Sequence, residues 1–460
     1  MKRAALLIFA AALLVRVIFL FAFAGEDSLL YHDSHTYIQA AKNLLTHGVY
    51  SMGYDAPPKP DSFRTPLYPL ILVPFVKFGI SWYVLAVIQA LAMSFAAMLM
   101  FTLGRRIFPG KIAFAGALLF AIEPFGALIG EQIMAEAFFS LLFIAALFLF
   151  ALYIQDKTPR HLFFGAAALA LAALLKQFAL FFVVMIPFAY VLAGSRFRPR
   201  RILLRRTRKW KILLAPLAVF FAILAPWIIR NVVTLRTLDF SSQSGYNIYA
   251  YNAAEFSIWL RAHFPERIAE KRVFLEYNDL VSLNARYDTT EVPRIQKAAL
   301  RFIAAYPFYY SIFHLMHTPL LFTNSAYNNF FYAIPRLGFS YEDEQALYDD
   351  LGASRIFSAA RRVAQHPVLA LALAANAFFI LVALLAILSP IVEWRRLGSV
   401  RKTTIFFVAV ILLYAFLSSP IRGARLRIPL NPVLFTLALY SLALLRAPHS
   451  VASIPQAVTQ

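Results

Sequence analysis

Residues 133–154 read IMAEAFFSLLFIAALFLFALYI, and this stretch decides the class of fold. A helix that crosses the hydrocarbon core of a membrane needs about 20 consecutive apolar residues. This stretch has that length and carries a single charge. Ten such apolar runs lie at residues 4–24, 81–103, 112–130, 133–154, 162–175, 178–193, 212–229, 367–389, 404–417 and 428–445. The sequence therefore predicts an all-α integral membrane protein with about ten transmembrane helices.

The composition agrees with a membrane protein. Of the 460 residues, 61% are hydrophobic and only 15% are charged, whereas a soluble domain carries about 25% charged residues. The chain has no cysteine, which excludes disulfides, thiolate metal sites and cysteine nucleophiles. The net charge of +21 is high enough to suggest nucleic acid as a partner, but the positions of the basic residues favour a different explanation.

The basic residues cluster in alternate loops. They lie before the first run, at 105–111, at 157–160, in the segment 196–211 (RFRPRRILLRRTRKWK) and at 395–402. All of these segments fall on one side if successive runs cross the membrane, and basic loops face the cytoplasm. We therefore predict a multi-pass protein of the inner (plasma) membrane with a cytoplasmic N-terminus. The basic charge would contact anionic membrane lipids, and no nucleic acid is expected as a partner.

This topology divides the chain into three parts. Residues 1–229 form a membrane module of seven helices, with a first outer loop at 25–80. Residues 230–366 form a long extracytoplasmic segment, in which the apolar piece 302–322 is predicted to lie along the outer leaflet. Residues 367–460 carry the C-terminal membrane helices.

The first outer loop contains YHDSHTYIQAAKNLLTHG, in which apolar residues recur at helical spacing from Ser34 to Thr46. This pattern predicts a short amphipathic helix, with Tyr37 on its apolar face, at the outer membrane surface. Asp33 precedes the helix, and its position alone favours an N-cap. The alternative is a general base held at the membrane surface. His32 and His35 flank Asp33, and this group could also bind a divalent metal.

Further along the same loop, SFRTPLYPLILVPF places three prolines in one apolar stretch. Prolines oppose a regular spanning helix, so we predict a surface or half-inserted element. Arg64 lies at its start. A snorkelling interfacial arginine and a ligand for a phosphate are both consistent with this position.

Acidic residues beside apolar runs are costly at membrane depth and are therefore candidate functional groups. Glu131 and Glu136 lie in GEQIMAEAFF, and Glu136 is the more deeply embedded. Arg230, after the seventh run, fits an interfacial position and could shape the site.

The last outer loop, SSPIRGARLRIPLNP, carries Arg422, Arg425 and Arg427. It is a strongly basic cluster on the side that the topology predicts to be extracytoplasmic. Three arginines beside an apolar helix suit a membrane-bound phosphate or diphosphate, although ordinary interfacial charge is the simpler alternative.

Taken in order, these pieces resemble the GT-C superfamily of polyprenyl-phosphate-dependent glycosyltransferases. The resemblance is to the bacterial relatives of the protein O-mannosyltransferases and of the lipid A aminoarabinose transferase. It is carried by LLVRVIFL, HDSHTYIQAAKNLLTHGVY, FRTPLYPLIL, QIMAEAFF, PWIIRNVVTL with SSQSGYNIYAYN, and GARLRIPLNPVLF.

The resemblance implies a role for several residues. Asp33 would be the catalytic base, and Glu136 would place the acceptor or, in some members, a metal. Arg64 would hold the donor phosphate, and Arg425 and Arg427, with Arg422 beside them, would contact the lipid phosphate. Many protein O-mannosyltransferases carry adjacent Asp and Glu in the first loop; here Ser34 follows Asp33, so a protein acceptor is not implied.

The expected activity is transfer of a sugar, with inversion, from an undecaprenyl- or decaprenyl-type phosphate donor to an acceptor hydroxyl on the extracytoplasmic face. No P-loop or GxGxxG motif for a nucleotide is present in the sequence. No cofactor is required by this reaction, and a divalent metal is left open. Two alternatives remain. A lipid-linked glycan polymerase or ligase would use a histidine, such as His314 or His317, and a lipid flippase or transporter would place polar groups at the bilayer midplane.

Overall fold

The chain folds as a bundle of helices, as predicted. The computed structural model describes residues 2–22, 29–30, 33–194, 210–267, 291–323, 356–365, 367–394, 400–421 and 423–446. The helices of the first half are α1 Lys2–Ala22, α2 Ser34–His47, α3 Leu67–Phe78, α4 Trp82–Gly104, α5 Gly110–Ile122, α6 Pro124–Glu131, α7 Glu136–Asp156, α8 Pro159–Leu175, α9 Met185–Gly194 and α10 Trp210–Leu235. Those of the second half are α11 Gln243–Asn247, α12 Glu255–His263, α13 Glu291–Ala305, α14 Pro307–His317, α15 Leu320–Thr323, α16 Ile356–Gln365, α17 Pro367–Trp394, α18 Arg401–Ser418 and α19 Asn431–Arg446.

Besides the short 3-10 helix Pro265–Arg267, three segments have a different helical form. A 3-10 helix, Gln177–Val184, leads directly into α9, and a second one, Ala424–Leu430, leads into α19. A π-helical stretch, Ile248–Ala254, joins α11 to α12. Both 3-10 helices carry residues of the candidate site or its neighbours, so local departures from α-helix geometry coincide with the functional region.

Most of the predicted apolar runs correspond to long apolar helices. Within the described residues, eight helices are long and apolar enough to cross a membrane, and α5 with α6 makes a ninth if this bent pair is one span. The fifth predicted run becomes α8, which has only 17 residues. The third run, predicted as one helix at 112–130, is instead broken into α5 and α6, which meet at 55°.

The break between α5 and α6 has a local cause. Pro124 has no backbone N–H and cannot continue the hydrogen bonding of α5. The Glu123 carboxylate accepts hydrogen bonds from the backbone N–H groups of Phe125 at 3.1 Å and Gly126 at 2.7 Å, and so caps the new helix. The carbonyl of Ala121, near the end of α5, accepts a hydrogen bond from Arg16 at 3.0 Å. The chain then turns so that α7 starts beside the candidate site.

The gap between the fifth and sixth apolar runs, at Lys176 and Gln177, is a break between two helices in the structure. Lys176 has an extended backbone (φ −145°, ψ 117°), which ends α8. The 3-10 helix starts at the next residue. A cationic side chain is thereby placed at the end of the bundle where α7 begins.

Contacts between side chains define the two ends of the bundle. At one end, here called the site end, Asp33 contacts Arg425 and Glu136 contacts Lys176. At the other end, Arg106 at the end of α4 pairs with Asp156 at the end of α7 at 3.1 Å. Helices α4 and α7 end at the second set of contacts, whereas α8 leads to Lys176 at the site end.

The segment after α10 contributes helices α11 to α15 at the site end. The predicted interfacial piece, 302–322, spans the end of α13, all of α14 and most of α15, and these helices are shorter than a membrane span. His314 of α14 bonds to the backbone of α18, since its Nε2 lies 3.0 Å from the Phe416 carbonyl oxygen. The position of this piece along the outer leaflet stays a prediction.

Candidate functional site

Asp33 lies at the start of α2, but its side chain does not cap that helix. The cap interpretation, which position alone favours, is therefore wrong. The backbone carbonyl of Asp33, not its carboxylate, accepts hydrogen bonds from Thr36 and Tyr37. Its carboxylate forms two ion pairs: Oδ1 lies 2.5 Å from Arg64 Nη2, and Oδ2 lies 2.9 Å from Arg425 Nη1. Three residues that the sequence predicted to act together are thus in direct contact.

Arg64 is held from several sides. Its Nε donates to the Thr36 hydroxyl at 3.0 Å, and its guanidinium lies 4.6 Å from the ring centre of Tyr37. Only 8% of its side chain is exposed. Arg64 therefore does not snorkel to the surface, and the helix α2 supplies both its anionic partner Asp33 and the aromatic ring on which it packs.

Tyr37 connects Arg64 to the helices α3 and α4. Its ring contacts that of Tyr68 on α3 in an edge-to-face arrangement with centres 4.9 Å apart. The Tyr68 hydroxyl donates to Gln89 on α4 at 2.7 Å, and Gln89 in turn donates to the Gln132 carbonyl at 2.7 Å. Burial raises the pKa of Tyr37 to about 12, so this residue stays neutral and serves to position Arg64.

A second ion pair lies beside the first. Glu136, the first residue of α7, accepts a hydrogen bond from Lys176 Nζ at 2.7 Å. Lys176 is close enough to Asp33, and Arg425 close enough to Glu136, for their charges to interact. The site therefore combines two carboxylates with three cations, and these five residues are called the charged cluster below.

The charges of the cluster act on the pKa of Asp33. Burial alone would raise this pKa, but Arg64 and Arg425 outweigh burial and hold it well below its usual range. Asp33 is consequently ionised at neutral pH. About a quarter of its side chain is exposed (26%), as is 32% of Arg425, so a ligand can reach both groups.

The rest of the first loop holds Arg64 in place. The Asp61 carboxylate accepts hydrogen bonds from the N–H groups of Met52 at 2.6 Å and Phe63 at 3.0 Å. The Tyr50 hydroxyl donates to the Arg64 carbonyl at 3.0 Å. Arg230 of α10 donates to the carbonyls of Asp61 at 2.7 Å and Tyr50 at 3.0 Å. Arg230 thus lies behind the loop, where it can shape the site without joining the charged cluster.

Arg427 is not part of the charged cluster, although it lies only two residues after Arg425. In a 3-10 helix with three residues per turn, residues two apart point in different directions. Arg427 is buried, donates to the Leu321 carbonyl at 3.0 Å and lies over the Phe379 ring at 3.7 Å. Its position does not support the predicted contact with the lipid phosphate, and it instead joins α15 to α17.

Glu131 is also apart from the cluster. It is the last residue of α6, is buried, and interacts electrostatically with Arg16 of α1. Glu131 therefore contributes to the packing of α1 against the α5–α6 break. It does not contact Asp33 directly.

The histidine predictions have mixed outcomes. His35 is exposed on α2, whereas His32 and Arg422 lie outside the described residues, so the metal prediction for HDSH and the phosphate prediction for Arg422 remain predictions. Among the residues that the structure describes, no three His, Asp or Glu side chains group closely enough to hold a metal. His314 and His317 bond to backbone carbonyls of Phe416 and Phe313.

Lys176 is the principal site residue that sequence reasoning missed. Lys176 and Gln177 interrupt an otherwise apolar stretch and separate the fifth and sixth apolar runs. The same interruption also indicates a charge at the membrane boundary, which has to find an acidic partner. Thr36 and Met134, which contact Arg64 and Arg425 respectively, carried no such signal.

The fold is that of a multi-pass membrane protein, and the charged cluster places three cations and two carboxylates together at one end of its helix bundle. Residues 58–229 match the family model described as dolichyl-phosphate-mannose-protein mannosyltransferase. This match supports the resemblance to membrane glycosyltransferases of the GT-C superfamily that the sequence shows. A search of curated proteins found no match.

The matched range contains part of the charged cluster. It includes Arg64, Glu136 and Lys176, whereas Asp33 and Arg425 lie outside it. Asp33 forms ion pairs with Arg64, inside the matched range, and with Arg425, beyond its other end. These two contacts connect the matched range to the segments before and after it.

Proposed function

We propose that the protein transfers a sugar from a polyprenyl-phosphate donor to an acceptor hydroxyl, with inversion at the anomeric carbon, on the extracytoplasmic face of the membrane. The observation that carries this proposal is the contact of Asp33 with both Arg64 and Arg425. It joins a carboxylate that can accept a proton to two groups that suit a phosphate.

The phosphate of the donor would bind Arg64 and Arg425, with Lys176 as a third cation. Arginine offers paired N–H donors that match phosphate oxygens. Charge on the bridging oxygen grows as the bond to the sugar breaks, and cations that interact more strongly with the leaving phosphate lower the barrier. Glu136 keeps Lys176 at the cluster through their 2.7 Å ion pair.

The reaction is a single displacement. The acceptor hydroxyl attacks the anomeric carbon from the face opposite the phosphate, and Asp33 accepts the hydroxyl proton. A new C–O bond forms, the bond between the anomeric carbon and the phosphate oxygen breaks, and its electron pair leaves with the phosphate. Polyprenyl phosphate is released as a monoester.

The charges of the cluster suit this sequence of events. Three cations and two carboxylates leave one net positive charge, which the single negative charge of a phosphodiester donor neutralises. After transfer, Asp33 is protonated and the phosphate monoester carries two negative charges, so the site is again neutral. A diphosphate donor would leave a net negative charge in a part-buried site, which is unfavourable.

The extracytoplasmic placement rests on the positions of the basic residues. Arg105 and Lys157 are sequence neighbours of the Arg106–Asp156 pair, which lies at the end of the bundle opposite the charged cluster. Since basic residues favour the cytoplasmic side, the site end would face away from the cytoplasm.

A transfer assay on the purified full-length protein in lipid tests the proposal. Radiolabelled polyprenyl-phosphate sugars are offered as donors and a membrane extract as acceptor. We expect wild-type transfer to fall at least about 100-fold in Asp33→Asn, because the general base is lost. We expect a comparable loss in Arg64→Ala and a smaller one, about tenfold, in Lys176→Met, because parts of the phosphate site are lost.

Matched controls come from the opposite end of the bundle. Asp156→Asn and Arg106→Ala make the same chemical changes in another Asp–Arg pair, and both should keep wild-type transfer. Wild-type rates in folded Asp33→Asn protein would exclude Asp33 as the base. Failure of every polyprenyl-phosphate sugar to bind or react would overturn the proposed donor class.

A further inference from the structure

Asp33 and the donor phosphate need the same partners. In the structure both oxygens of the Asp33 carboxylate contact arginines, Oδ1 with Arg64 and Oδ2 with Arg425. A carboxylate in two ion pairs is a poor proton acceptor, and its pKa is held well below the usual range. A general base works best when its pKa is nearer to the working pH, so at least one of these ion pairs has to change during the reaction.

Arg64 is poorly placed to change partners. Its side chain is 8% exposed, its Nε donates to Thr36, and its guanidinium packs on the rings of Tyr37 at 4.6 Å and Phe63 at 5.5 Å. The Tyr50 hydroxyl also holds the Arg64 backbone carbonyl. Moving this guanidinium would break several of these contacts.

Arg425 is the more exposed of the two arginines. A third of its side chain is exposed (32%), and it lies near the start of a 3-10 helix that follows the connection from α18. Besides its ion pair with Asp33, its Nη1 lies 3.7 Å from the sulfur of Met134, which is a weak acceptor. The larger exposed fraction gives the Arg425 side chain more room than Arg64 to turn toward a bound phosphate.

We infer that Arg425 is shared between Asp33 and the donor phosphate. Without donor, Arg425 pairs with the Asp33 carboxylate, which then cannot act as a base. When the donor binds, its phosphate replaces the carboxylate as the partner of Arg425. This inference rests on the proposed function, and it adds that Asp33 becomes an effective base only when the donor is bound. Arg64 stays in place as the contact that Asp33 and the phosphate have in common.

The exchange has a consequence for binding. Asp33 competes with the phosphate for Arg425, so removal of the carboxylate should strengthen phosphate binding while it abolishes transfer. Part of this effect would arise from the loss of simple charge repulsion. That part does not depend on Arg425, and a double-mutant cycle separates the two contributions.

The test measures equilibrium binding of polyprenyl monophosphate, without sugar, to the full-length protein in lipid nanodiscs. We expect Asp33→Asn to bind this lipid roughly tenfold more tightly than wild type, the size expected when a competing part-buried charge pair is removed. Arg425→Ala should bind more weakly than wild type. In the Arg425→Ala background, Asp33→Asn should strengthen binding by only about threefold or less. The control Asp156→Asn should bind as wild type does.

Equal strengthening by Asp33→Asn in both backgrounds, or none in the wild-type background, would overturn the shared role of Arg425 while leaving the proposed function intact. Absence of any polyprenyl phosphate binding by wild type would overturn both. A second measurement needs no variant. A structure of the wild type with polyprenyl phosphate bound should show Arg425 on the phosphate and apart from Asp33, and an intact 2.9 Å contact beside the bound phosphate would refute the exchange.

Discussion

At the scale of single residues, Arg425 and Arg427 show how two arginines only two positions apart have different roles. Arg425 reaches the Asp33 carboxylate, and Arg427 is directed into the interior, where it binds the Leu321 carbonyl and packs on Phe379. The sequence GARLRIP contains both, and their difference comes only from the 3-10 geometry of the segment.

This difference predicts opposite effects of two matched substitutions. Arg425→Ala should lower sugar transfer by about 100-fold, through loss of a phosphate ligand, with little change in thermal stability. Arg427→Ala should lower the free energy of unfolding by about 2–4 kcal/mol, since it removes a buried charge-assisted hydrogen bond and a desolvated cation–π contact. Transfer rates and unfolding midpoints of the two proteins, measured side by side, check this. A stable Arg427→Ala protein without activity would instead place Arg427 in the site.

The family resemblance pointed to Asp33, Arg64 and Arg425 as site residues, whereas their positions alone also allowed a helix cap and ordinary interfacial charges. It did not predict how the charges pair. Glu136 was expected to place an acceptor, whereas in the structure its carboxylate contacts Lys176. Which charges form ion pairs depends on which loops come together at the site end. No local sequence pattern around Glu136 or Lys176 indicates that these two residues come together.

At the scale of helices, close packing depends on small residues at a few positions. Gly116 of α5 faces Thr436 of α19, and a Cβ at Gly116 would lie 3.2 Å from the backbone Cα of Thr436 and 2.7 Å from its hydroxyl oxygen. Helices in membranes approach closely where such small residues meet. By contrast, a Cβ at Gly110, at the start of the same helix, would meet nothing within 4 Å.

Gly116→Ala should therefore lower the free energy of unfolding by about 1–3 kcal/mol, the usual cost of overpacking, and Gly110→Ala should be neutral. Unfolding midpoints in detergent, compared among wild type and the two variants, measure the effect. Equal stability of the two variants would show that α5 and α19 adjust to the extra methyl group without cost.

The sequence predicted where the helices lie better than where a helix is interrupted. Hydropathy alone located the third run at 112–130, but the structure divides it at Glu123 and Pro124 with a bend of 55°. The proline was visible in the sequence. What the sequence did not reveal is that the carboxylate of Glu123 and the guanidinium of Arg16 satisfy the backbone groups which the break exposes.

At the scale of the whole molecule, the cysteine-free sequence allows a direct test of orientation. Tyr54 is an exposed residue in the loop at the site end, and Arg106 is exposed at the opposite end. In intact cells or spheroplasts, a membrane-impermeant maleimide should label Tyr54→Cys and should label Arg106→Cys only after permeabilisation. The parent protein provides an unlabelled background. The reverse pattern would place the charged cluster on the cytoplasmic side.

The length of α8 has a consequence for the lipids around it. Its 17 residues extend about 25 Å at 1.5 Å per residue, which is less than the roughly 30 Å of a typical hydrocarbon core. Lys176 follows directly, so this hydrophobic mismatch either thins the bilayer locally or draws the cationic end below the neighbouring headgroups. A polyprenyl lipid could then bring its phosphate to Lys176 without being lifted out of its leaflet. The thickness of the surrounding membrane would in this way set how readily the donor is captured.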